Sequence, residues 1–102
     1  MQQYRQGDIL LIKVNQDVDT RNPVTPVQGN VIVAYGEATG HHHALSADTV
    51  TGYQVGENMQ LVVAEPTPLT HQEHDAIVIM PGTYWVVYQR EYQRGEVRRV
   101  ID

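Results

Sequence analysis

A chain of 102 residues, 41% hydrophobic and 19% charged, has the size and composition of one globular domain, expected to occupy residues 1–102 as a single unit. Its formal net charge of −5 argues against general nucleic-acid binding, which needs a basic footprint. The absence of cysteine excludes disulfides, iron–sulfur clusters and thiolate zinc sites.

No apolar run approaches the roughly 18–20 residues of a membrane-spanning helix. The opening Met1-Gln-Gln-Tyr-Arg-Gln-Gly-Asp8 lacks the basic-then-apolar order of a signal peptide. The expectation is a soluble cytoplasmic protein, or a virion component if phage-encoded, with no membrane partner.

Almost every periodic segment reads as strand. Asp8–Val14 is a β-branched run behind a Gln-Gly-Asp turn signal. Residues 17–28, with Pro23 and Pro26, form an extended loop. Asn30–Tyr35 is the next strand, and His41–Leu45 after Gly40 a short third one. Thr49–Val55 and Met59–Ala64 flank Gly56-Glu-Asn58 as a hairpin. Glu65-Pro-Thr-Pro68 is a breaker, followed by strands at Leu69–His71 and Ala76–Met80 and a turn at Pro81-Gly82. Thr83–Tyr92 is the longest strand candidate, and Glu96–Ile101 closes the chain.

About eight short strands with regularly spaced turns and no capped amphipathic helix predict an all-β, single-domain sandwich or barrel of the small jelly-roll type. Along Thr83–Tyr92, alternation puts Tyr84, Val86, Tyr88, Arg90 and Tyr92 on one face and Trp85, Val87, Gln89 and Glu91 on the other. The first half reads as buried on both sides, as in a central strand. The tyrosine face suits core packing, a pocket or a subunit contact. Arg90, Arg94, Arg98 and Arg99 concentrate base near the C-terminus, where they read as a solvated strand edge paired with Glu91 and Glu96, or as a docking edge.

Five histidines, placed as His41-His-His43 and His71-Gln-Glu-His74, carry the chemistry. Imidazole is the commonest metal ligand. In an extended segment His41 and His43 face one side, about 6.5–7 Å apart, while His42 faces away. His71 and His74 reach a common face only if the chain breaks at Gln72-Glu73. The coordination set is therefore His41, His43 and His74, with His71 and Glu73 competing for a fourth place. Without thiolates the ion is a divalent transition metal such as zinc, manganese, iron or nickel. Glu37 and Glu73 are candidates either for a general base beside a metal-bound water or for support of the imidazoles. The bland reading is a histidine triplet on a surface turn. No nucleophile elbow, phosphate loop or dinucleotide fingerprint is present, so no reaction is assigned.

Gln6-Gly-Asp8, Gly36-Glu-Ala-Thr-Gly-His-His-His43, Leu69-Thr-His-Gln-Glu-His74, Pro81-Gly-Thr-Tyr84 and Gln89-Arg-Glu-Tyr92 together resemble a family of short bacterial and phage proteins known only as uncharacterised. That resemblance spans nearly the whole chain, and its GExTGHxH and LxHxEH motifs imply no activity. A weaker likeness to the cupin superfamily rests on the His-x-His strand, the later histidine and the Pro-Gly turn. It implies a metal-binding jelly roll. The glutamate usual after the cupin His-x-His is missing, since Ala44, Leu45, Ser46 and Ala47 follow here.

Two functions compete at this level. One is a small metal- or ligand-binding protein. The other is a homo-oligomeric assembly component, such as a phage decoration or capsid-associated protein, with histidines at subunit contacts.

Overall fold

Runs of β-branched and aliphatic residues punctuated by glycine and proline become eleven strands and no helix among the residues that the computed structural model describes, 2–35, 41–88, 93–95 and 97–99. In chain order they are β1 (Gln3–Gln6), β2 (Ile9–Val14), β3 (Asn30–Tyr35), β4 (His42–Ser46), β5 (Val50–Val55), β6 (Asn58–Val63), β7 (Thr67–Leu69), β8 (Ile77–Ile79), β9 (Gly82–Tyr88), β10 (Gln93–Gly95) and β11 (Val97–Arg99). No helix is long and apolar enough to cross a membrane.

Five strands form one antiparallel sheet in the order β1-β2-β9-β6-β5. The β3–β4 and β7–β8 ladders supply the opposing layer. They are joined where Ala44 and Thr70 exchange two backbone hydrogen bonds, each 2.9 Å long. Ile9, Leu11, Val50, Met59, Leu61, Val63, Tyr84 and Val86 of the first layer meet Val31, Val33, Leu45, Leu69 and Ile79 of the second in one buried cluster. The alternation of β9 is clear: Tyr84 and Val86 are buried, Trp85 is half-buried, and Val87 and Tyr88 are exposed. A strand between two neighbours, β2 and β6, is central as its pattern predicts.

Three elements, β1, β7 and β9, depart from the sequence reading by more than a residue at one end. β1 has no counterpart in the sequence reading, because Gln-Tyr-Arg-Gln holds one apolar residue. It is a strand whose Tyr4 and Gln6 face inward opposite Leu11 and Ile9. The strand expected at Leu69–His71 runs instead from Thr67 to Leu69, with Pro68 inside it. The proline is tolerated because its side chain is exposed and β4 meets this segment at Thr70, beyond it. The single strand expected over Thr83–Tyr92 is described as far as Tyr88. Gln93–Gly95 already belongs to a separate ladder with Val97–Arg99. The side chains of Arg90, Tyr92, Arg94, Arg98 and Arg99, like Glu91 and Glu96, lie outside the described residues.

Tyr84 closes the core at the β8–β9 turn. Its hydroxyl donates to the Met80 carbonyl at 2.6 Å, and its ring packs 5.9 Å from that of Tyr4. Burial first, and the neighbouring Tyr4 hydroxyl second, push its ionisation from 10.0 up to about 12. An unfolded tyrosine ionises earlier than this one, so the stability that the difference confers is present below pH 10 and is lost as pH rises through about 12. The urea midpoint is expected to fall across that interval. In Tyr84→Phe the fall should be shallower, after a loss of about 1 kcal/mol at neutral pH from the missing hydrogen bond.

Candidate functional site

The inward positions of β3 and β4 are Val31 and Leu45, then Val33 and His43, which pair across the ladder. His43 thus takes the last core position before the segment 36–40, which includes Glu37 and lies outside the described residues. It is only 2% exposed. A buried imidazole needs a hydrogen-bond partner, and Gln6 at the end of β1 provides one: His43 Nδ1 and Gln6 Oε1 are 2.7 Å apart.

The Gln6 amide is itself buried, and its orientation is fixed by two other contacts. Its Nε2 donates to the Leu69 carbonyl at 2.8 Å and to the Asp75 carbonyl at 2.9 Å. Carbonyl oxygens only accept, so Nε2 must face them and Oε1 must face His43. His43 therefore donates through Nδ1–H, and when neutral it carries its lone pair on Nε2. That nitrogen lies 3.4 Å from Asp8 Oδ1 on the β1–β2 turn.

The residues that Gln6 brackets, 70–74, carry the second histidine pair. The chain leaves β7, bends through Gln72–His74 and enters β8 at Ile77. With the strand broken there, His71 and His74 lie on one side, ring centroids 4.7 Å apart. The bend is closed locally by the Glu73 N–H donating to His71 Nδ1 at 3.0 Å, and from outside by the His42 N–H donating to Gln72 Oε1 at 2.9 Å.

The other ring distances are 4.4 Å for His43–His71, 5.6 Å for His41–His71 and 6.4 Å for His43–His74, the last pair nearly parallel. His41 Nδ1 faces Glu73 Oε1 at 3.4 Å on the rim. The fold thus brings together His41, His43, His71, His74 and Glu73. His42 points to the other side of β4, away from the buried His43.

Sequence reasoning missed Gln6, Gly7 and Asp8, which sit directly beneath these rings. Gly7 has φ +60, and a Cβ there would come within 2.7 Å of His74 Nε2 and 3.5 Å of His43 Cε1. Glycine serves both the tight two-residue turn and the approach of the imidazole. The signal was present in Gln6-Gly-Asp8, but a turn motif does not say what folds over it.

Burial pushes the His43 imidazole below its ordinary value; His71 adds to this and Asp8 opposes it. His71 is lowered too, by burial and then by His74 and His41, against Glu73 and Asp8. Both shifts favour the neutral form of His43 and His71, the state in which imidazole ligates metals. Among the described residues, no three His, Asp or Glu side chains stand in ready-made ligating geometry.

Two outcomes follow for the metal-free protein. With folded-state values lowered from 6.5, the contribution of His43 and His71 to stability is present above that pH and lost as pH falls through their depressed values. Urea midpoints should therefore drop as pH falls below 6.5, and less so in His71→Gln. Gln6→Leu strands one imidazole N–H and two carbonyls, and should cost about 2–4 kcal/mol, with new protease cleavage within 70–76.

No curated protein and no solved structure is significantly similar to the chain. One family model matches residues 5–89, a span running from the β1 strand beneath the histidines to the end of β9. The chain belongs to the family described as a domain of unknown function, DUF8820.

Proposed function

We propose that this protein binds one divalent transition-metal ion at the end of its β-sandwich, among His43, His74, His71 and His41, with Glu73 at the rim. The observation that carries the reading is the convergence of four imidazoles from two distant segments, at ring separations of 4.4–6.4 Å. Two imidazoles on one tetrahedral ion at about 2.0 Å per bond have centroids about 5 Å apart. The observed range brackets that value. Nitrogen-rich donors without thiolate suit zinc, iron, manganese or nickel.

Such a cluster is costly to maintain for structure alone. Each ring that takes a proton raises the energy of the others, and the buried one requires its own amide partner. An ion removes the repulsion and uses the lone pairs.

Untagged protein equilibrated with zinc and desalted is expected to retain one ion per chain by elemental analysis. His43→Ala should weaken binding by more than the roughly 10–100-fold typical of supporting residues, whereas His42→Ala should leave it unchanged. Retention of the ion in His43→Ala, or its loss in His42→Ala, overturns the placement.

A further inference from the structure

We propose that the outer face of the five-stranded sheet is a dimer interface, covered by a second copy of this chain across a two-fold axis that runs along β9. The alternation that turns Tyr84 and Val86 into the core turns Trp85 and Val87 the other way. With them on that face stand Leu10, Ile12, Tyr53 and Val62, from strands on either side. None of the six belongs to the buried cluster between the layers. An antiparallel sheet with one face toward water normally carries polar residues there. This one carries an apolar patch that calls for a cover.

One polar residue lies in its middle. The register aligns Gln3, Ile12, Trp85, Gln60 and Tyr53 in a single row across all five strands. Gln60 stands between the two aromatic residues and is only 1% exposed. Its Nε2 is the one buried side-chain nitrogen or oxygen among the described residues that finds no hydrogen-bond partner. A buried donor left unpaired is costly, and an acceptor brought by another molecule recovers the loss. Tryptophan and tyrosine around a desolvated centre, with polar residues outside them, is also the pattern of interface hot spots.

The occupant is a second copy because the face complements itself. β9 is the third of the five strands. A two-fold axis laid along it, between two such faces, sets β1 of one copy over β5 of the other, β2 over β6, and β9 over β9. Aligned sheets pack in this manner, with strands within about 30° and faces about 10 Å apart. Gln3, exposed on β1, then comes over the Tyr53 end of the row and brings an amide oxygen beside Gln60.

The charges at the rim agree. Arg5, also exposed on β1, is level with Leu10 and Val87, toward the end of the sheet where the β5–β6 turn carries the exposed Glu57. The same rotation puts each Arg5 opposite Glu57 of the second copy, twice in the dimer. A face shaped for some other molecule would not need this symmetry.

Five strands about 4.8 Å apart, each contributing about five residues at 3.3 Å, give a footprint of roughly 400 Å² before side-chain relief. That is the size of a functional surface patch and lies at the low end of specific interfaces. Each copy also has its own core between the layers, so the monomer stays folded when the dimer dissociates.

Trp85 is the only tryptophan of the chain, so its emission reports on this face directly. Sedimentation velocity of the full chain from roughly 1 to 200 μM should show monomer passing to dimer. Tryptophan emission should move to the blue and acrylamide quenching should fall over the same range. Val87→Glu, at a position already 36% exposed, should abolish both changes and keep the circular dichroism spectrum of the monomer. Val78→Glu, 52% exposed on β8 in the other layer, should dimerise as wild type does.

Arg5→Glu or Glu57→Arg should weaken association about tenfold, since each reversal acts twice, and the chain carrying both should recover it. A protein monomeric throughout, a dimer that Val87→Glu leaves intact, or a double reversal no better than the single ones overturns the proposal. None of these outcomes touches the metal reading, whose residues lie on β4, just before it, and in the 70–74 bend.

Discussion

The Gln6 amide is the constraint on which this end of the molecule depends. It is buried and makes contact with three parts of the chain separated from it by 37, 63 and 69 residues: the His43 ring and the Leu69 and Asp75 carbonyls. Each such bond contributes about 1 kcal/mol net, but leaving a buried partner unpaired costs about 1–3 kcal/mol. The three contacts therefore hold or fail together. They join an edge strand of the five-stranded sheet to β4 and to both ends of the 70–74 bend, which no β-ladder fixes.

Stability comes from elsewhere. Thirteen buried apolar residues between the layers provide the driving force, and none of them needs a histidine at position 43. An aliphatic residue there would continue the column of Val31, Val33 and Leu45 without any amide partner. The polar pair of Gln6 and His43 interrupts the core at its end instead, and a buried polar network fully satisfied in this way specifies geometry more than it adds stability. That preference for geometry is the feature on which the proposed site rests.

The strands with β-branched runs were legible in the sequence. β3 matches its predicted bounds, and β2, β5 and β6 fall within a residue of theirs, because pattern and turn chemistry are local. β1 and β7 were not legible. One has a single apolar residue, and the other contains a proline; both are strands because of the partners they meet. The site divides in the same way. Histidines announce themselves by residue type, and the condition for His71 and His74 to meet, a break at Gln72-Glu73, is met by the bend through Gln72–His74. Asp8 and Gln6 carry no such mark. Their roles exist only through contacts with residues far along the chain, and nothing in the local composition of a Gln-Gly-Asp turn encodes them.

The arrangement also ranks the histidines by what each must give up to bind an ion. His43 gives up nothing: its tautomer is set by Gln6, and Nε2 already faces outward from the core. His74 requires a turn of its ring, parallel now to that of His43, over a glycine that leaves space for it. His71 accepts from the Glu73 N–H at Nδ1 and so carries its proton on Nε2; freeing Nδ1 would loosen the bend that positions His74. His41, at the rim, is already turned toward Glu73. Affinity should thus be built from the inside outward, with the buried ring as the fixed donor and the outer rings adjusting to the ion. A backbone held by Gln6 and by the Ala44–Thr70 bridge is preorganised where reorganisation would cost most.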